Sequence, residues 1–356
     1  MSLQVGIVGL PNVGKSTLFK ALTKKQVLVE NYPFATIEPN VGVVPVPDSR
    51  LEVLAKISKT EKIIPAAVEF VDIAGLVAGA HKGEGLGNKF LSHIREVNAV
   101  VQVVRTFTKS DIIHVANKVD PQADVDIINL ELAMADLQVV EKRLKTAQSE
   151  AKSRAPEALF WVSGLEKVMK LLADGRPARE AELTEDETKL IGQLQLLTSK
   201  PMLYVVNVDE GQGEEVIPDF LKGLPHVAVS AQIESELAEL PEAEAKAMMA
   251  DLGMRESGLD RLIKAAFELL GLQTYLTTGV KETRAWTIHR GDRAPQAAGA
   301  IHSDFERGFI SAEIISYDKL VEAGFWNAGK EKGWVRLEGK EYVMQDGDVV
   351  LFHFNV

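Results

Sequence analysis

"LQVGIVGLPNVGKST", residues 3–17, decides the fold. An apolar, strand-like run leads into Gly9, and Gly14-Lys15-Ser16 complete the spacing G-x-x-x-x-G-K-[ST]. The residues from Lys15 to Thr23 read as a helix. Strand, loop and helix in that order are the context in which this spacing makes a phosphate-binding loop. Glycines let backbone N–H groups curl around phosphate oxygens, and the helix N-terminus adds a favourable field. Lys15 supplies a positive charge for the β- and γ-phosphates, and the Ser16 hydroxyl suits Mg²⁺. Asn12, Val13, Gly14, Lys15, Ser16 and Thr17 are the expected contacts on the phosphate side.

A second strand, "AAVEFVDIAG" (66–75), delivers Asp72 and Gly75. Asp72 is suited to hold Mg²⁺ through water, and Gly75 to sense the γ-phosphate. Between the two motifs lies "NYPFATIEPN" (31–40), where Thr36 is a candidate second Mg²⁺ ligand. Such a loop is ordered by the γ-phosphate.

Working outward, residues 1 to about 120 alternate strand-like and helix-like segments, the pattern of an α/β fold with a parallel sheet. From about 124 the texture turns helical. Ile127, Leu130, Met134, Leu137 and Leu144 recur at helical spacing, as do Leu159, Val162, Leu165, Val168, Met169 and Leu172. The α/β pattern resumes with "PMLYVVN" (201–207) and "HVAVSA" (226–231), and a helix closes it at Gly271. From about 275 the chain is strand-rich. The expected organisation is an α/β P-loop domain from 1–123 and 200–274, an inserted helical hairpin at 124–199, and a small C-terminal domain at 275–356.

Two strings could read the base, because N-K-x-D at a strand end is the usual guanine reader. "NKVD" (117–120) is the better literal match, but only "TKSDIIHVA" separates it from the preceding strand. A parallel crossover needs about a dozen residues. Asn117 therefore reads as a polar loop leading into the hairpin. "NVDE" (207–210) ends a good strand, and Ser230-Ala231 ends the next one, where a base-backing loop belongs. Here Val208 replaces the Lys and Glu210 the Asp. In guanine readers the Asp accepts from N1–H and the N2 amine, and adenine offers neither. An Asn amide has a donor and an acceptor for adenine N6 and N7. Weakened guanine selectivity and a preference for ATP are expected.

These strings together resemble one family, the Obg-like ATPases, also called YchF proteins, within the translation-factor class of P-loop GTPases. The resemblance rests on "GLPNVGKST", "YPFATIEPN", "DIAGLVAGAHKGEGLGNKFLSHIREV", "NVDE" and "RAWTIHRGDRAPQAAGAIHSDFERGFISAEII", and covers essentially the whole chain. It implies a G domain interrupted by a helical coiled-coil arm, followed by a TGS domain with a β-grasp fold. It further implies ATP hydrolysis in preference to GTP and association with ribosomes. Two alternatives stay open: a GTP-specific switch in which Glu210 still accepts from guanine, and a ribosome- or RNA-binding module with incidental hydrolysis.

Many GTPases place a Gln just after D-x-x-G to orient the attacking water. Leu76 stands there, so slow turnover is expected unless another group acts. Asn12 resembles the Asn that binds a monovalent cation in K⁺-stimulated relatives, where the ion supplies fixed positive charge. His81 and His114 are loop histidines that could orient water. Lys15, Asn12 and His114 are the catalytic candidates.

The chain has 356 residues, a net charge of -11 and no Cys. The charge argues against wholesale nucleic-acid binding, and no DNA partner is expected. Residues 139–154, however, hold five basic residues against two acidic ones, a stretch that could touch rRNA phosphates. The C-terminal domain interleaves Lys281, Arg284, Arg290 and Arg293 with acids, so RNA contact there is implied by the resemblance alone. The absence of Cys fits a reducing cytosol. No signal-peptide pattern opens the chain, and no apolar run approaches membrane-span length. A cytoplasmic monomer is the expectation.

Overall fold

The computed structural model describes residues 3–25, 40–73, 86–108, 119–152, 156–213 and 216–355. The chain forms two compact units. The first comprises Met1–Lys25, Thr36–Gly42 and Glu69–Leu262. The second comprises Gln26–Ala35, Val43–Val68 and Ile263–Val356.

In chain order the N-terminal half contains β1 (Gln4–Val8), α1 (Lys15–Lys24), β2 (Val41–Pro45), α2 (Arg50–Ser58), β3 (Lys62–Ile64), β4 (Ala67–Asp72), α3 (Leu86–Glu96) and β5 (Ala99–Arg105). Three helices follow, α4 (Pro121–Ala151), α5 (Pro156–Ala173) and α6 (Glu185–Gly192). Then come β6 (Met202–Asn207), β7 (His226–Val229), α7 (Ala231–Leu237), α8 (Glu242–Asp251) and α9 (Gly258–Leu269). The first sheet has the order β2-β4-β1-β5-β6-β7. Its pairs β1–β4, β1–β5, β5–β6 and β6–β7 are all parallel. Every residue of β5 and β6 is buried, which is why both read as largely apolar runs, with only Gln102, Arg105 and Asn207 polar or charged. Parallel strands covered on both faces have no polar side to alternate with. Parallel strands run in one direction, so their last residues Val8, Asp72, Arg105, Asn207 and Val229 all lie towards the carboxyl-end edge of the sheet, where such folds bind ligands, with β5 reaching three residues beyond Val8.

α4 begins three residues before the expected 124. Pro121 occupies its first turn, and the Asp120 carboxylate accepts from the Ala123 N–H at 3.2 Å. Asp120, the acid of "NKVD", is thus a helix cap. Asn117 lies outside the described residues. α4 packs on α5 through Val140, Leu144, Ala147, Trp161, Leu165, Val168 and Leu172. Part of the expected apolar stripe is not core: Ile127 is 38% exposed, Leu130 53% and Leu159 63%. Val125, Ile128 and Leu132 are buried in their place, so the core face at the start of α4 is rotated by about one residue, roughly 100°, whereas Leu137 and Leu144 pack in the core as expected. Buried Asp136 at the hairpin root accepts from the Leu197 and Thr198 N–H groups and the Thr198 hydroxyl at 2.9, 2.8 and 2.7 Å. Glu187 accepts from Ser163 and Lys167 and closes a capping box with Thr184. Lys167 is the main reason its pKa falls to about 2.

The second unit contains β8 (Leu272–Thr278), β9 (Glu282–His289), α10 (Ala294–Ile301), α11 (Ser303–Arg307), β10 (Phe309–Ser316), α12 (Tyr317–Ala323), α13 (Trp326–Glu331), β11 (Arg336–Glu338) and β12 (Asp348–Phe354). The boundary expected at 275 falls inside β8. The sheet order is β11-β10-β12-β8-β9-β3. Its last strand comes from the N-terminal half, with Lys62 paired to Glu282 and Ile64 to Arg284. Arg50 ties α2 into the same unit, donating to Asp48 and Asp346 at 2.8 and 2.7 Å and to Thr274 at 3.0 Å. These contacts account for Val43–Val68 belonging to this unit rather than to the first. No described helix is long and apolar enough to cross a membrane.

Candidate nucleotide-binding site

The loop from β1 to α1 turns through two left-handed residues, Asn12 at φ 65° and Gly14 at φ 95°, with buried Val13 between them. Asn is one of the few side chains that tolerates this region. Alternating handedness of this kind turns successive N–H groups towards one concavity, a nest for anions. Each glycine has a steric reason. A Cβ on Gly9 would lie 2.8 Å from Val13 Cγ2 and 3.2 Å from the Val103 carbonyl. A Cβ on Gly14 would lie 2.2 Å from Asn207 Nδ2. The Gly14 carbonyl accepts from the Leu18 N–H at 3.0 Å and starts the helix.

Lys15 is in direct contact with Asp72 at the end of β4, so charges 57 residues apart in sequence meet at the loop. Ser16 and Thr17 are exposed beside them. A hydroxyl and a carboxylate form an all-oxygen donor set, which suits a hard divalent cation. The described residues hold no group of three or more His, Cys, Asp or Glu that could bind a metal. A Mg²⁺ held here would therefore take its further ligands from phosphate, water or residues outside the described ones, among them the candidate Thr36.

Asn207 ends β6 and is 5% exposed. Its Nδ2 donates to the Val13 carbonyl at 2.9 Å, and its Oδ1 accepts from the Ala231 N–H at 3.0 Å. The side chain expected to meet a base with both amide atoms instead clamps the phosphate loop to the start of α7. Its backbone carbonyl gathers a third segment, accepting from the Thr106 and Phe107 N–H groups at 3.0 and 3.3 Å. Asp209 then accepts from the Thr108 N–H and hydroxyl at 3.1 and 3.3 Å. Beside this knot lies a cavity of about 320 Å³ whose lining includes Gly14, Phe107, Asn207, Val208, Glu210 and Ser230. Ala231 and Thr17 also line it. It adjoins the phosphate loop through Gly14 and Thr17.

A family model described as "50S ribosome-binding GTPase" matches residues 4–142. A model of YchF-type C-terminal domains, described as "Protein of unknown function", matches residues 272–355. A Bacillus subtilis protein named "Ribosome-binding ATPase YchF" is 53% identical over 366 residues, covering 100% of both chains. The chain belongs to the YchF family. The Haemophilus influenzae protein of the same name is 52% identical over 364 residues, again covering 100% of both. The solved Schizosaccharomyces pombe YchF GTPase is 39% identical with a TM-score of 0.84, covering 99% of this chain and 98% of that one. The fold is accordingly the P-loop GTPase-type α/β fold of YchF proteins.

Within this YchF chain the structure brings together Asn12, Val13, Gly14, Lys15, Ser16, Thr17, Asp72, Asn207, Val208, Glu210, Ser230 and Ala231 at one sheet edge. Thr36, Gly75 and His114 lie outside the described residues, as do Leu76 and His81. Sequence reasoning missed Arg105, Phe107 and Asp209. Phe107 stands two residues after the strand run "AVVQVVR", and Asp209 sits inside "NVDE" itself. Position after a strand that ends at this edge is the signal that would have found the first.

Proposed function

We propose that this YchF-family chain is a Mg²⁺-dependent ATPase, weaker with GTP, that works as a nucleotide-gated ribosome-associated factor in translation or stress response. The observation that carries this reading is the cavity at "NVDE" opening beside the phosphate loop. The names of its full-length relatives, ribosome-binding ATPases, support it. The phosphates lie against the Asn12–Thr17 loop with Lys15 on the β- and γ-phosphates. Ser16 ligates Mg²⁺, Asp72 holds it through water, and Thr36 completes the set with γ-phosphate present. Asn207 keeps one Nδ2 hydrogen for the purine N7, a contact common to adenine and guanine. Selection then falls to the wall around Val208 and Glu210. Val208 is 4% exposed and offers apolar cover. Gly75 senses the γ-phosphate, Ser230 and Ala231 back the base, and Asn12 holds K⁺. His114 is proposed to orient the attacking water.

The Obg-like label and a TGS assignment for the C-terminal domain belong to this proposal. So do the division into a G domain with an inserted arm, contact of the basic arm with rRNA, and a cytoplasmic monomer. Co-sedimentation with ribosomes tests the gated reading. Lys15→Ala is expected to lower ATP hydrolysis by about 100-fold or more, since it removes the charge on the transferred phosphoryl group. The same variant should lose the ATP dependence of ribosome binding. Ribosome binding indifferent both to ATP and to this substitution would identify a binding module instead.

A further inference from the structure

Arg105 ends β5 directly opposite Asn207 in the register of β5 and β6, and is 2% exposed. Burying a guanidinium strips its hydration, so an arginine in a packed position needs compensating contacts. Its Nη1 donates to the Asn12 carbonyl at 3.4 Å, and its Nε donates to the Phe107 carbonyl at 3.3 Å. The guanidinium also stands over the Phe107 ring, 4.1 Å from its centre. One buried side chain therefore touches both the left-handed turn of the phosphate loop and the aromatic wall of the cavity.

The contact with Asn12 has a directional consequence. In a planar trans peptide the C=O and the following N–H point in opposite directions. Holding the Asn12 carbonyl inward, towards a buried guanidinium, aims the Val13 N–H outward to the concave side of the loop. Holding Phe107 by carbonyl and ring together fixes the cavity wall relative to the same guanidinium. Lysine carries a comparable charge but has neither a planar face nor a fork that reaches two carbonyls at once.

We propose that Arg105 is a positioning residue for nucleotide, setting the aim of the phosphate loop and the place of the base wall through a single side chain. This rests on the nucleotide-binding reading above. The test is calorimetric titration of the full chain and its Arg105→Lys and Arg105→Met variants. The probes are a non-hydrolysable ATP analogue and tripolyphosphate, with melting curves run alongside. Both variants are expected to lose about tenfold or more for the ATP analogue. They should also weaken for tripolyphosphate, at temperatures where each is fully folded. Affinities unchanged in the folded variants, with only the melting temperature lowered, would overturn the proposal and leave Arg105 a packing residue. Loss confined to the ATP analogue would overturn its phosphate-loop half. Should Arg105→Met not fold, Arg105→Lys carries the test. Failure of the unsubstituted chain to bind either probe would instead remove the nucleotide-binding reading.

Discussion

Asn207→Ala is expected to weaken binding of an ATP analogue by about 100-fold, and to do so without unfolding the chain. The effect follows from what the side chain joins. Its removal deprives the Val13 carbonyl and the Ala231 N–H of their amide partners. An unsatisfied buried backbone group costs about 1–3 kcal/mol, and about 1.4 kcal/mol is a tenfold change in affinity. Both groups are unpaired with or without ligand, so affinity falls because the loop leaves its binding-ready arrangement. If relieving the two groups favours the displaced loop by about 2.8 kcal/mol, re-forming the site costs about two orders of magnitude, before any lost contact to the purine. Loss of the clamp frees the phosphate loop from α7, so tripolyphosphate should weaken as well as the base-bearing ligand. Titration of both ligands checks this. Affinity for the ATP analogue within about threefold of the unsubstituted chain would show that the clamp does not matter to binding. Asn117→Ala, by contrast, should leave binding unchanged, because the neighbouring Asp120 caps a helix.

The second large effect is expected at Gly14. Gly14→Ala forces a side chain into φ 95° and sets its Cβ 2.2 Å from Asn207 Nδ2. The left-handed backbone alone costs an L-residue about 1–2 kcal/mol. The clash adds to it, because Asn207 cannot retreat while held at both amide atoms. Binding of the ATP analogue should fall by about 1000-fold, below detection in a standard titration. The two substitutions damage one clamp, so the double variant should lose far less than the sum of the two losses. Simple additivity would mean that Gly14 and Asn207 act separately.

The phosphate loop was legible from sequence because its chemistry admits few residue types and their spacing is local. The parallel sheet was legible because strands buried on both faces read as apolar runs. The role of Asn207 was half legible. Its place at a strand end pointed to the base, but its hydrogen bonds to Val13 and Ala231 join residues remote in sequence, which no local pattern encodes. Arg105 hid for the same reason: nothing in "VVRTF" tells a buried arginine from one at the surface. The stripe through Ile127 and Leu130 misled because α4 carries apolar residues on more than one face. Val43–Val68 reads as part of an α/β pattern, yet β3 finds its partner in β9, more than two hundred residues on.

The central claim is that "NVDE" has turned a guanine-reading site towards adenine. It is tested most directly by calorimetric titration of the nucleotide-free chain with a non-hydrolysable ATP analogue and its GTP counterpart, in Mg²⁺ and K⁺. Tighter binding of the ATP analogue, by about tenfold or more, is the predicted result. Tighter binding of the GTP analogue would contradict the account, and would mean that Glu210 accepts from guanine as an aspartate does.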